Sequence, residues 1–390
     1  MEQLLRRTWA EIDLDALAHN YQTIARRVGE GTKVLGVVKA DAYGHGALHV
    51  ARTLEELGAG YLAVSSLDEA RELRTAGISL PILILGHTPE QYVPQLLAYD
   101  ITQAVTCEAK AVAYNEVART CGQKLKIHIK VDTGMSRLGY LCAGSHFQTG
   151  VEGILHACSL PWLEAEGIFT HFAVSDEPDK PESVDFTRRQ FDLFLRVIAA
   201  LEERGQRFAL RHCANSGAVV NFPREMALDM VRPGIILYGC GDGAAELGLR
   251  PVMALKTTVS TIKILDPGSA VSYGLLYRTA GRERVGVLPI GYADGLLRSL
   301  SNRCAFYTAD GFAPLRGRIC MDMCMVDLTG KEHVQVGSEV EIFGSHSSVD
   351  KLAAQAGTIP YELTCAVSKR VPRLFLRRGK VVGTELRMYL

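Results

Sequence analysis

No C-x-x-C pair occurs among the ten cysteines (107, 121, 142, 158, 213, 240, 304, 320, 324 and 365), which removes the usual zinc and thioredoxin signatures. Long hydrophobic runs are missing too. Nothing is apolar for long enough to cross a bilayer, and Arg6 and Arg7 have no apolar segment behind them that would make a secretory leader. Most of the cysteines are accordingly expected to be reduced, small hydrophobes in a cytoplasmic protein. An excess of one charge is the third absence: 43 basic and 43 acidic residues cancel, so no global field favours nucleic acid or an anionic membrane as a partner. What the chain does have is length and apolar content. Its 390 residues, 47% of them hydrophobic, suffice for two well-packed globular domains.

The stretch VLGVVKADAYGHG at 34–46 organises the rest. A run of β-branched and small apolar residues reads as a buried strand, and it places Lys39 where that strand stops. Lysine is rarely buried without a partner. Desolvation lowers the pKa of its amine, which suits a Schiff-base or general-base lysine. Tyr43, Gly44, His45 and Gly46 then form a turn, and an amphipathic run begins at Ala47. Strand, lysine, turn and helix make a βα unit whose loop lies at the carboxyl end of the strand, where parallel α/β folds keep their chemistry.

These residues carry a resemblance. VVKADAYGHG is similar to the cofactor-attachment site of the alanine racemase family, in which the lysine bonds to pyridoxal 5'-phosphate. The resemblance implies a (β/α)8 TIM-type barrel followed by a mainly antiparallel β-domain. The chain has the rhythm for it. Apolar runs at 33–39, 61–65, 81–86, 101–106, 125–131, 164–172, 207–213 and 228–238 alternate with helical patterns such as 67–76, 108–120 and 184–204. Periodicity alone also allows an open doubly wound sheet; the resemblance is what selects the barrel. Ahead of it, 8–13 reads as a strand, and Asp13 or Asp15 can cap the helix that follows, ending at Gly29 and Gly31. From Val252 onward short β-type runs follow one another (252–265, 284–291, 304–307, 318–327 and 338–343), with one helical run at 349–356, the pattern of a separate antiparallel domain. The boundary is placed near 246: a barrel of 12–246, and a second domain of 247–390 joined by residues 1–11.

Each requirement of such a cofactor then finds a matching position. By resemblance, Tyr43, Asn215, Ser216, Gly234, Ile235 and Tyr361 contact the phosphate. Taken singly, most of these are ordinary turn residues. Arg232 matches the arginine facing the pyridine nitrogen. It can only donate, so that nitrogen stays unprotonated and side reactions are restrained. His171 packs beside the ring, and Arg137 approaches the phenolate oxygen and the substrate carboxylate. Lys130 matches a lysine that is carbamylated in many relatives, which turns a cation into an anion that orients Arg137.

Racemisation removes a proton from one face of the α-carbon and delivers one to the other, a task for two bases. Lys39 is one; the resemblance makes Tyr273, in Ala270-Val271-Ser272-Tyr273-Gly274, the other, reaching in from a second chain. A homodimer with composite sites is thereby implied. Met321 would bind the substrate carboxylate through its backbone, although by composition 318–327 is simply a Cys- and Met-rich strand. Tyr292 would narrow the entrance so that a methyl side chain fits. The implied activity interconverts L- and D-alanine, supplying D-alanine for peptidoglycan. A serine racemase of the same family is disfavoured by the retained Tyr361. A non-catalytic cofactor-carrier protein is disfavoured by the second domain and Tyr273. The loose G-x-G-x-x-A pattern at 239–244 lacks the βαβ context of a dinucleotide site.

Overall fold

The computed structural model describes residues 7–386. Eight parallel strands follow in chain order: Lys33–Val37, Tyr61–Val64, Ile82–Ile84, Ile101–Val105, Leu125–Asp132, Leu163–Phe169, Leu210–His212 and Met230–Val231. Each pairs with its predecessor except the last, which pairs back onto the first through Met230 beside Lys33 and Val231 beside Val34. Two main-chain bonds, Asp229 N–H to Arg211 O and Arg232 N–H to Ala214 O, draw the remaining seam together. The result is a nearly closed barrel with helices outside it, as expected. Its strands are buried on both faces and so read as continuous Val, Ile and Leu runs.

Most of the barrel strands are shorter than their apolar patterns, and at two of them the shortening bears on the site. The run 228–238 pairs only at Met230–Val231, because Pro233 has no N–H to donate and Ile235–Tyr238 turns into a short 3-10 helix. The run 33–39 stops at Val37, two residues before Lys39.

Asp13 caps the helix Leu14–Val28 by accepting the Asp15 and Ala16 N–H groups, and Gly29 ends it at φ +93°. Such a cap stabilises by about 1 kcal/mol. The strand before it, Thr8–Asp13, lies antiparallel to Met253–Thr258 and parallel to Arg373–Arg377. Of residues 1–11, expected to pair with the second domain, Thr8 to Glu11 lie opposite Thr257 to Ala254, while 1–6 lie outside the described residues.

That strand is the fifth in a seven-stranded sheet running Gly311–Pro314, Ala305–Thr308, Glu339–Phe343, Met253–Thr258, Thr8–Asp13, Arg373–Arg377 and Lys380–Glu385. A second sheet holds Thr261–Leu265, Glu283–Leu288 and Cys324–Asp327. The single run predicted over 252–265 is therefore split between two sheets at Val259 and Ser260. The strand expected over 318–327 is confined to Cys324–Asp327; before it, Gly317 at φ +76° turns the chain into a loop that exposes Met321 and Met323. The helix Pro360–Ala366 and the final hairpin had no clear periodic signal. That helix docks on the barrel mouth, where a Cβ on Gly44 would meet Thr364 O at 2.2 Å.

Candidate active site

A cavity of about 500 Å³ opens at the carboxyl ends of the barrel strands. Lys39, Tyr43, Arg137, His171, Asn215, Ser216, Arg232, Gly234, Ile235 and Tyr361 all line it. Ten of the predicted residues thus converge from five loops and from the second domain.

Lys39 enters through an unusual turn. Ala40, Asp41, Ala42 and Tyr43 all have left-handed φ, between +51° and +55°, a conformation that costs L-residues roughly 1–2 kcal/mol each. The turn is held by its neighbours. His45 Nδ1 lies 2.9 Å from Ala42 O and 3.0 Å from Tyr43 O. Both are acceptors, so this nitrogen carries the proton. The Ala47 N–H donates to Asp41 Oδ1 at 2.7 Å. Burial lowers the Lys39 pKa and Arg137 lowers it further, against the opposing charges of Glu69 and Cys365.

Arg232 is pinned from several sides. Its guanidinium donates to Thr170 O (2.7 Å), Cys213 O (3.0 Å), His212 Nδ1 (2.9 Å) and His171 Nδ1 (3.2 Å). Burial lowers its pKa to about 10, which leaves it charged at neutral pH. An arginine that only donates dictates the tautomers beyond it. His212 must accept at Nδ1, so its Nε2–H points to His128 Nδ1 at 2.9 Å. The remaining His128 proton then sits on Nε2, which lies 3.5 Å from Glu166 Oε2 without forming a hydrogen bond to it. Burial lowers the pKa of His128, His171 and His212, keeping them neutral. Gly167 makes room, since a Cβ there would meet the His128 ring at 2.6 Å. None of this chain was foreseen; no role was assigned to His128 or His212 from the sequence.

At the other end of the cavity the main chain comes close. A Cβ on Gly234 would lie 2.5 Å from Tyr43 Oη, and the Gly234 N–H donates to Ser216 Oγ at 2.9 Å. Asn215 accepts the Ala218 N–H as a helix cap. The 239–244 glycine loop is part of the wall: Gly241 and Asp242 line the cavity with Asp176 and Asp350. These acidic residues were not anticipated.

Lys130 lies behind the cavity rather than on it. It is buried, with Nζ 4.8 Å from the centre of the Phe169 ring, and forms no ion pair among the described residues. Burial and the nearby Arg232 and Arg137 push its pKa well down.

Tyr273, Tyr292 and Met321 do not reach this cavity within the chain. They are exposed on the second domain, at 70%, 44% and 54%, and their segments are laced together. Ser272 Oγ donates to Arg318 O at 2.6 Å, the Tyr292 N–H to Cys320 O, and the Ala293 N–H to Met321 O. Ser272 holds φ +66°, ψ −171°, a region nearly reserved for glycine.

The Alanine racemase N-terminal domain family matches residues 12–242 and the Alanine racemase C-terminal domain family residues 252–375. Alanine racemase 2 of Caldanaerobacter subterraneus is 44% identical over 98% of each chain. The Clostridium tetani alanine racemase is also 44% identical, over 97% of this chain and 98% of its own. Among solved structures, alanine racemase from Clostridium difficile superposes with a TM-score of 0.92 at 38% identity, covering 99% of this chain and 100% of that one. The Bacillus anthracis alanine racemase with bound L-Ala-P gives 0.89 at 34%, over 98% of each. With both domains matched and the relatives covered along nearly their whole length, the chain belongs to the alanine racemase family.

Proposed function

We propose that this protein is a pyridoxal-5'-phosphate-dependent racemase interconverting L- and D-alanine. The observation that carries the reading is the pairing, in one cavity, of a desolvated Lys39 with a buried Arg232 that can only donate. The residues present fit the cofactor. Lys39 would bond to its aldehyde, Arg232 would face the ring nitrogen, and His171 would pack beside the ring. Tyr43, Asn215, Ser216, Gly234, Ile235 and Tyr361 would take the phosphate, using the close main-chain approach at Gly234. When bound, the cofactor withdraws electrons from the substrate α-carbon and so acidifies its C–H bond.

The protein's own residues then handle the proton. Lys39 Nζ serves one face of the α-carbon. Tyr273 of a second copy serves the other, which requires a homodimer and explains why Tyr273, Met321 and Tyr292 stand exposed together. Arg137 and the Met321 main chain hold the carboxylate, and Tyr292 limits the side chain to a methyl. The buried Lys130, with two cationic neighbours, suits carbamylation; a carbon-13 carbamate resonance from protein in labelled bicarbonate tests it, and an intact ammonium at ambient carbon dioxide argues against it. The division at 246 follows the change from alternating to consecutive strands. Reduced cysteines and a cell-wall role for D-alanine suit the cytoplasm.

The deciding experiment incubates cofactor-loaded protein with L-alanine and assays D-alanine, with L-serine in parallel, while light scattering gives the oligomeric state. No D-alanine, or a protein that stays monomeric at full activity, would sink the reading.

A further inference from the structure

The helix behind the second barrel strand makes one contact that its cap does not need. Leu67–Thr75 starts on Ser66, whose Oγ accepts the Glu69 N–H at 3.4 Å. Glu69 answers by accepting the Ser65 N–H at Oε2, 2.7 Å away. This reciprocal pair is a close relative of the capping box and occupies one carboxylate oxygen. The other oxygen, Oε1, accepts the Ala40 N–H, also at 2.7 Å. Ala40 follows Lys39 and is the first residue of the left-handed turn.

We propose that Glu69 is a positioning residue for Lys39: its carboxylate ties the start of the strained turn to the end of the adjacent strand and so sets the direction in which the lysine side chain enters the cavity. The proposal rests on Lys39 being the cofactor-bearing lysine, and it concerns a residue that does not itself line the cavity. Both bonds are charge-assisted and both go to main-chain donors. They join the carboxyl ends of two neighbouring strands at the point where the backbone leaves its ordinary conformation. The carboxylate charge also acts on the lysine, opposing burial and Arg137 in favour of the ammonium. An amide cannot replace it. Glutamine has one accepting oxygen and would turn an NH2 group toward one of the two donors.

Ser66→Ala supplies the comparison, because it weakens the helix cap while leaving both carboxylate bonds in place. In cofactor-free protein, the acetylation rate of Lys39 is followed against pH by peptide mass spectrometry. Glu69→Gln is expected to move the Lys39 midpoint downward. In the loaded enzyme it is expected to lower kcat about tenfold with KM changed less than about twofold. Ser66→Ala should lower the melting temperature comparably and leave both readouts at wild-type values. If the two variants behave alike in midpoint and in kcat, Glu69 is only part of a cap and the proposal is overturned. Should wild-type protein carry no cofactor on Lys39, the reading of the site fails, yet the labelling midpoints still decide whether Glu69 controls that amine.

Discussion

Arg232 donates to His212 Nδ1 over 2.9 Å inside the barrel, and this one bond sets the tautomer of the two imidazoles beyond it. Because guanidinium has no acceptor, His212 is obliged to direct its own proton outward to His128 Nδ1, which leaves the His128 proton on Nε2. The buried cation is thus held by neutral acceptors alone at its inner end, and its charge remains available to whatever faces it in the cavity.

Arg232→Lys is therefore expected not to rescue. An ammonium is a point charge with three donors and cannot span two carbonyls and two imidazoles in one plane. Turnover should fall at least about 100-fold, and urea denaturation should show a loss of about 3 kcal/mol from partners left buried and unpaired. A lysine variant within a few-fold of wild type would contradict the role given to the guanidinium fork.

Tyr273→Phe keeps the exposed ring and removes the hydroxyl. Racemisation should drop by about 10²–10⁴-fold while the bound-cofactor absorbance is unchanged. Solvent-deuterium incorporation should persist from the enantiomer deprotonated by Lys39 and vanish from the other. Equal incorporation from both enantiomers would remove Tyr273 from the chemistry. Ser272→Ala, which loses the bond to Arg318 O, is expected to shift the same ratio partway.

Gly44→Ala tests the seam between the domains. At φ +82° an L side chain is strained, and the new methyl would meet Thr364 O at 2.2 Å. Overpacking and strain together should cost about 3 kcal/mol in a urea melt. Because the displaced helix carries Tyr361, phosphate competition for the cofactor site should also become easier. Wild-type stability would show that the helix at 360–366 yields freely.

Acid should weaken the fold through its buried imidazoles. His45 is fully enclosed, and burial lowers its pKa from 6.5 to about 4. Between those values the unfolded chain binds a proton that the folded one refuses. The contribution is therefore complete above the unfolded pKa and is lost as pH falls toward the folded one. This residue alone should account for about 2 kcal/mol between pH 7 and pH 5, with His128, His171 and His212 acting in the same direction. His45→Asn should flatten the dependence by that amount in urea melts; an equally steep decline in the variant would assign the effect elsewhere.

The strand rhythm, the position of Lys39 at a strand end, the Asp13 cap and the switch to consecutive β-runs were all readable from the chain, because each depends on neighbours a few residues away. The ten cavity residues were named because local motifs such as 39–46, 215–217 and 232–235 resemble those of the family. Less was readable wherever a turn overruled an apolar pattern. Met321 sits in an alternation that suits a buried strand, yet Gly317 and the bonds to Tyr292 and Ala293 leave it in an exposed loop. The strand at 373–377 gave no strong signal, since its hydrogen-bonding partner, Thr8–Asp13, lies at the far end of the chain.

Through the family resemblance that its motifs carry, the amino-acid sequence named the residues proposed to do the work: an amine at a strand end, an arginine before Pro233, a tyrosine between Ser272 and Gly274. Only the tertiary structure decided how they are held. The left-handed turn at 40–43, the bond from Glu69 to Ala40 and the one-way line from Arg232 through His212 to His128 each join segments distant in sequence. Hydrogen-bond direction and backbone strain are properties of groups brought together in space, and no periodicity along a single strand or helix can carry them.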